Sequence, residues 1–495
     1  MHRRHFIRTL ALAGAALAAG PARAAAPRFP DATWQRLPRW RGFNLLEKFQ
    51  RDWNNQPFVE TDFDWIAEWG FNFVRLPCDY RIWTAAPGHY REAPLQELDR
   101  GIALARARGI HTLLNLHRAP GYTVAQPPEK LDLWSDGAEG AEARAQFAAQ
   151  WQMFAERYRG IPARELSFNL VNEPAQVPAG KYVRACAAAV AGIRRGDPDR
   201  LVLADGLEWG SQSVPELKRL RIGQCTRGYA PHTLTHYQAS WVKGSENYPV
   251  PTWPMLAKPS AFLYGDIKKE FQTPLILHGH FPAQTRFALH LTQISYAAQL
   301  VIKADGRVFL QNEFKTTAEQ RQPELKDVLA AALPADAQQI TIALEHGDWL
   351  TWKKLSLAPP GGRPATLLEA AGEWGRKQAA WIIGADGVAR CATGKVECDR
   401  DVLWTKNVEP WIKLRDEGVG VMVGEWGCHN RTPHPVVLAW MRDCLVNWRR
   451  ANFGWALWNF RGSFGLLDSD RKDVKYEDFR GHKLDRAMLE LLREG

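Results

Sequence analysis

Beyond its first two dozen positions the 495-residue chain has no long apolar run, so the mature protein is expected to carry no membrane span. Cysteine is sparse and odd in number: seven residues at 78, 186, 225, 391, 398, 428 and 444. Their scattered spacing gives no disulfide framework and no zinc motif. Basic blocks are missing outside the N-terminus. The 64 lysines and arginines are interspersed with 54 acidic residues, so the net charge of +10 reads as a soluble basic surface, not a nucleic-acid site. A 24% charged content also excludes an acidic disordered tail or a collagen-like polymer.

What the chain has in excess is tryptophan, twenty-two residues. Flat apolar rings pack cores, and they also stack against sugar rings. At the N-terminus, MHRRHFIRTLALAGAALAAGPARAAAP combines a basic start, a small-sided apolar run and an A-x-A site at Ala22, Arg23 and Ala24. This is expected to be an export signal over residues 1–24. Arg3-Arg4 before His5-Phe6-Ile7 resembles the twin-arginine type, whose cargo is exported already folded. A periplasmic or extracellular location follows. A chain that folds in a reducing cytoplasm should not depend on a Cys391–Cys398 bridge, and the spacing alone leaves that pairing open.

From residue 40 onward, short apolar runs alternate with amphipathic stretches. The runs are 42–46, 72–77, 111–117, 166–173, 201–206, 234–238, 419–425 and 453–460, with helix candidates such as 95–109 and 143–160 between them. Eight such alternations predict an α/β fold, a parallel (β/α)8 barrel whose strands are buried on both faces. The interval between strand six, placed at 234–238, and strand seven is too long for one helix and its loops. Within it Phe287, Leu289 and Leu291, and again Ile340, Ile342 and Leu344, alternate with polar or small residues. Period-two alternation predicts an antiparallel β-sandwich inserted over 265–359, leaving barrel segments 25–264 and 360–495. Pro359-Pro360-Gly361-Gly362 is its expected exit, and the helix completing the sixth unit is expected near 401–417.

A barrel of this kind presents its chemistry at the C-terminal ends of its strands. Those ends carry Arg75, His117, Asn172-Glu173, His236-Tyr237, Glu425 and Trp458. Taken singly, each has a plain structural reading as a rim ion pair, a satisfied polar end or core. Polar groups at nearly every strand end of one face are harder to explain as filler. Glu173 ends FNLVNEP and Glu425 ends VMVGEWG, two buried runs each stopped at a carboxylate. Strands four and seven face each other across a barrel, and two carboxylates flanking a cleft suit glycosidic bond hydrolysis.

The stretches RGFN (41–44), VRLP (74–77), NLHRAPG (115–121), NLVNEP (169–174), VGEWG (423–427) and WALWNFRGSFGLLDSDR (455–471) resemble glycoside hydrolase family 5. The resemblance implies a retaining enzyme of the (β/α)8 clan, with Glu173 as acid/base and Glu425 as nucleophile. It implies Asn172 at the sugar 2-hydroxyl, Arg75 and His117 supporting the site, Trp458 as the floor of the −1 subsite, and no metal or organic cofactor. Arg75 and Tyr237 are expected to keep Glu425 ionised. The family's strand six usually reads His, any residue, Tyr; here Thr235 holds the first place and His236 directly precedes Tyr237. Adjacent strand residues point to opposite faces, so Tyr237 is the candidate and the reach of His236 stays open.

The expected partner is a polysaccharide or oligosaccharide, with no nucleic acid and no membrane span; a monomer is the default. A β-glucan of the cellulose type, cut as an endo-β-1,4-glucanase cuts it, is the expected substrate. Within the same family a β-mannanase and an exo-acting β-1,3-glucanase or β-glucosidase are the alternatives. A transglycosylase shares the same two-glutamate chemistry. From another class, a non-catalytic carbohydrate-binding protein would predict loss of a glutamate, and both are present. Trp83, Tyr122, Trp134, Trp241 and Trp426 are candidate subsite aromatics at the rim. Trp349 and Trp352 are read as sandwich core or, alternatively, a sugar platform, and topology allows the insert to lengthen the cleft.

Overall fold

The computed structural model describes residues 29–295, 297–316 and 324–495. The expected signal segment, 1–24, lies outside the described residues. Eight parallel strands close into a barrel: β1 (Arg41–Asn44), β2 (Phe73–Asp79), β3 (His111–Ala119), β4 (Leu166–Asn169), β5 (Leu201–Asp205), β6 (Gly223–Gly228), β7 (Val421–Trp426) and β8 (Gly454–Leu457). The ring closes because β1 pairs with β2 on one side, Gly42 opposite Phe73, and with β8 on the other, Arg41 opposite Trp455. Gly42 is required there. A Cβ would lie 1.7 Å from the Phe73 carbonyl oxygen.

Outside the strands, helices lay apolar stripes on the sheet. In Ala138–Arg157, residues Phe147, Trp151 and Phe154 fall at i, i+4 and i+7 and are fully buried. Burying each contributes roughly 1.5–3 kcal/mol. Inside the barrel the composition changes with height. The lower layer is Phe73, Leu113, Leu201, Leu203, Cys225, Met422 and Ala456. Trp40 plugs its mouth, stacked on His111 at 3.8 Å and Phe73 at 5.4 Å. Two residues further along β2, β3, β5 and β6 come Arg75, Asn115, Asp205 and Arg227, and β1 and β4 add Asn44 and Asn169, all buried and polar.

Strand six is not the expected 234–238. It is GQCTRG, 223–228, and His232–Thr235 is a single helical turn after it, begun at Pro231. The apolar-run criterion fails there for a physical reason. A strand that supplies Gln224, Thr226 and Arg227 to buried hydrogen bonds is not apolar. The helical segment Arg400–Leu403, Trp404–Val408 and Glu409–Asp416 completes the unit where expected.

Between β6 and β7 two sheets face each other. One orders Phe262–Tyr264, Trp349–Ala358, Arg286–Ile294 and Val328–Ala332, with Thr366–Glu369 also on Trp349–Ala358. The other orders Arg307–Lys315, Ala297–Ala304, Ala337–Gly347, Leu275–Phe281, Ala380–Ile383 and Ala389–Cys391. All pairings are antiparallel except Leu275–Phe281 with Ala380–Ile383. The sheets therefore run past both limits of the expected 265–359 span. Pro359–Gly362 is a turn inside them, not an exit, because Thr366–Glu369 returns to the same sheet. Trp349 and Trp352 are buried, so neither is a sugar platform. All seven cysteines are free thiols, Cys391 and Cys398 included. Among the described residues no helix is long and apolar enough to cross a membrane.

Leu289 is fully buried between the two sheets. Leu289→Ala is expected to cost about 2–5 kcal/mol there. Hydrogen exchange should show the loss in Arg286–Ile294 and its neighbours, with the barrel strands unchanged; equal loss in both would mean the two cores unfold as one unit.

Candidate active site

The polar layer at the top of the barrel is one connected cluster. Arg75, inward-facing on β2, is fully buried and donates four times: Nη1 to Glu425 Oε1 (2.5 Å) and Asn44 Oδ1 (3.0 Å), Nε to Asn169 Oδ1 (3.0 Å), Nη2 to Asn172 Oδ1 (2.8 Å). Glu425 needs a device to join it. Met422 faces the barrel interior, and strict alternation would turn residue 425 outward. The register slips between Val423 and Glu425 against β6, and this bulge at Gly424 swings the carboxylate inward.

Arg227 on β6 is the second guanidinium. Its Nε donates to Glu173 Oε1 at 2.8 Å, and its Nη2 to Asn172 Oδ1 at 2.9 Å and Glu425 Oε1 at 3.1 Å. Nη2 also makes a short ion pair with Asp205. Asp205 accepts the Glu173 backbone N–H at 3.0 Å, and Tyr122 donates its hydroxyl to the Glu173 carbonyl at 2.7 Å. These two bonds hold Glu173 in a left-handed backbone conformation (φ 47°), from which Pro174 leads the chain away. Burial and then the negative charge of Glu425 push the Glu173 carboxyl up to about 8, with Arg227 pulling against both. Burial, reinforced by Arg75 and Arg227, lowers His117 well below its ordinary range, so its ring is neutral.

A cleft of about 1380 Å³ opens above this cluster, lined among others by His117, Glu173, Tyr229, His236, Glu425 and Trp458. Trp53 and Trp241, 67% and 58% exposed, are the cleft's exposed tryptophans. Trp458 packs its ring on His117 at 5.5 Å and on Phe49 at 5.6 Å. Among the described residues, none from the two inserted sheets lines the cleft.

The tyrosine assignment is corrected. Tyr229 lies two residues after Arg227, and its hydroxyl donates to Glu425 Oε2 at 3.3 Å. Tyr237 is not among the cleft residues; its hydroxyl accepts from Gln238. His236, left open by strand alternation, does line the cleft, because the segment is helical there and the alternation argument does not apply. Of the candidate rim aromatics Trp241 alone lines the cleft. Trp83 and Trp426 are fully buried, and Tyr122 and Trp134 pack together behind Glu173. Trp53 and Phe49 were missed; the signal was a polar-aromatic loop, FQRDWNN, directly after β1.

Residues 31–243 match the family model Cellulase (glycosyl hydrolase family 5). Endoglucanase C of Acetivibrio thermocellus is 30% identical over 199 residues, 38% of this chain and 55% of that protein. The chain thus spans about half the length of the curated relatives it matches. A crystal structure described as a glycoside hydrolase aligns over 92% of this chain and 99% of its own, with 27% identity and a TM-score of 0.59. Thermotoga maritima Cel5A shares the fold at 16% identity and a TM-score of 0.53, with 92% and 96% covered.

Over residues 31–243 the barrel is similar to glycosyl hydrolase family 5. With strand six correctly placed, the family's His, any residue, Tyr pattern falls on Arg227, Gly228 and Tyr229, so an arginine stands where the family usually has histidine. The signal was present in the sequence. Pro231 closes β6 just beyond Tyr229, as Pro174 follows Glu173.

The raised Glu173 carboxyl sets a pH dependence of stability. The folded protein keeps a proton that the unfolded chain releases above about pH 4.3. Stability therefore falls as pH rises from there to about 8. Glu173→Gln abolishes this slope, so its stability relative to the parent should increase from about pH 5 to about pH 9 in guanidinium denaturation. A constant difference across that range would refute the assignment.

Proposed function

We propose that the protein is an exported retaining β-glycosidase that hydrolyses a β-glucan of the cellulose type. The observation that carries this reading is the pair of carboxyls, Glu173 and Glu425, held by one guanidinium at 2.8 and 3.1 Å on the floor of a cleft. Glu173 is the acid/base. Its elevated pKa keeps a proton available near neutral pH, to be given to the departing glycosidic oxygen. Glu425 is the nucleophile; Arg75, Arg227 and Tyr229 fix its two oxygens. As the bond from the anomeric carbon to the leaving oxygen breaks, that carbon forms an ester with Glu425. Glu173, now a carboxylate, takes a proton from water, whose oxygen displaces the ester. Carboxyls held by a single side chain support the close spacing of retaining enzymes, about 5–5.5 Å, over the wider spacing of inverting ones.

Asn172 is the family's residue for the sugar 2-hydroxyl. Its Oδ1 is taken by the two arginines and its Nδ2 lies 3.4 Å from His117 Nε2, leaving the amide N–H to turn to a sugar. Trp458 floors the −1 subsite. A cleft of about 1380 Å³ exceeds the 300–1,000 Å³ of ordinary small-molecule pockets, which supports a chain of sugars over one ring. The name of the relative Endoglucanase C supports cellulose-type glucan, and the arginine pair of the N-terminal segment supports export.

Purified protein is expected to cleave carboxymethyl-cellulose or mixed-linkage glucan in a panel that also holds laminarin, mannan and xylan. Glu173→Gln and Glu425→Gln should each abolish cleavage. Failure on every polymer and on aryl β-glycosides would sink the hydrolase reading. Tyr229→Phe removes a hydrogen bond to a charged group and should lower kcat/KM about 10- to 100-fold. Tyr237→Phe should not, and the reverse outcome would restore the tyrosine first expected.

A further inference from the structure

Arg227 is the feature that the family pattern does not explain. A neutral histidine is the usual occupant of its place, and here a cation touches Glu173, Glu425 and Asp205 together. With Glu173 protonated, Arg75 and Arg227 balance Asp205 and Glu425, and the buried cluster is neutral. In the glycosyl-enzyme Glu425 is an ester without charge, and Glu173 has become a carboxylate. The cluster is neutral again. One negative charge has moved from Glu425 to Glu173, and Arg227 is hydrogen-bonded to both ends of that path.

We infer that Arg227 is a positioning residue that follows this migrating charge and sets how readily Glu173 surrenders its proton to a poor leaving group. The inference rests on the hydrolase reading above. Other groups face Glu173 from every side. Asp205 approaches from β5, Tyr229 from the end of β6, Glu425 from β7 and Tyr122 from the loop after β3. Among the described residues, Arg227 is the one cation in direct contact with the Glu173 carboxyl. It therefore stabilises the carboxylate left after proton transfer and makes Glu173 a stronger acid than burial would allow. Gly424 and Gly210 leave room for its side chain: a Cβ at either would fall 3.0 Å and 2.6 Å from Arg227 atoms.

The test compares Arg227→His and Arg227→Lys with the parent on two aryl β-cellobiosides. A 2,4-dinitrophenyl leaving group departs without acid help; a phenyl group needs it. For Arg227→His, kcat/KM on the phenyl glycoside should fall about 10- to 100-fold, against less than about 5-fold on the dinitrophenyl glycoside. The basic limb of its pH profile should move up by about one unit or more, since the cation that lowers the acid's pKa is gone. Arg227→Lys keeps the charge but not the fork, and should recover part of both effects. Equal losses on the two substrates with an unmoved limb overturn the inference, as they would mark a residue that only holds the fold. Should Arg227→His fail to fold, as circular dichroism would show, Arg227→Gln, which also removes the cation, decides in its place: an unchanged ratio between the two substrates overturns it. An inactive parent sinks the hydrolase reading and this inference with it, whereas an active parent with an unchanged ratio sinks the inference alone.

Discussion

Two guanidiniums buried inside a barrel are the constraint on which the rest of this structure turns. Taking Arg75 and Arg227 out of water is costly unless each meets opposite charge and every N–H finds an acceptor. That demand fixes their surroundings. Asn44, Asn169 and Asn172 present amide oxygens to Arg75, while Asp205, Glu173 and Glu425 surround Arg227. Asn44 is held in turn through its Nδ2 by the carbonyls of Gly424 and Leu457. Seven of the eight strands send a side chain into this network, Asn115 joining through Asn169, so the polar layer is a cross-brace as well as a site.

The barrel makes such a layer affordable because its interior is filled in tiers. Below lies an apolar tier capped by Trp40, and its residues recur every second position along their strands. One step higher the same positions become polar. β7 breaks the phase at Gly424, where the bulge delivers Glu425 to the interior. A regular strand would have pointed that carboxylate at the helices outside.

The eight-fold alternation was legible in the sequence, and so was the gathering of both glutamates, Arg75, His117, Asn172 and Trp458 at one end of the barrel, because polar residues interrupt or follow apolar strands there. Strand six was not. Its residues Gln224, Thr226 and Arg227 serve buried hydrogen bonds, so hydrophobic periodicity reads the segment as loop and prefers the more apolar 234–238. Misplacing the strand moved the tyrosine by eight positions and hid Arg227 altogether. The sandwich was visible as period-two alternation, yet its short outer strands, such as Ala380–Ile383 and Ala389–Cys391, lacked that pattern and fell outside the expected limits.

A cluster so rich in charge is a poor way to gain stability, since well-packed apolar residues in the same volume often hold a fold as well or better. Its use lies in what does not have to move. Shifting charge between buried groups would ordinarily require the surroundings to reorient, and in a low-dielectric interior that reorganisation is expensive. Under the proposed mechanism, the donor that would receive the charge on Glu173 already contacts it, and those that would release Glu425 remain paired with Asp205 and the asparagines. The same hydrogen bonds that make burial of the two arginines tolerable thus hold both carboxyls in place, as the proposed double displacement would require. A substitution that relaxes them should therefore loosen the barrel's upper tier and the chemistry together, unless it preserves a cation at residue 227.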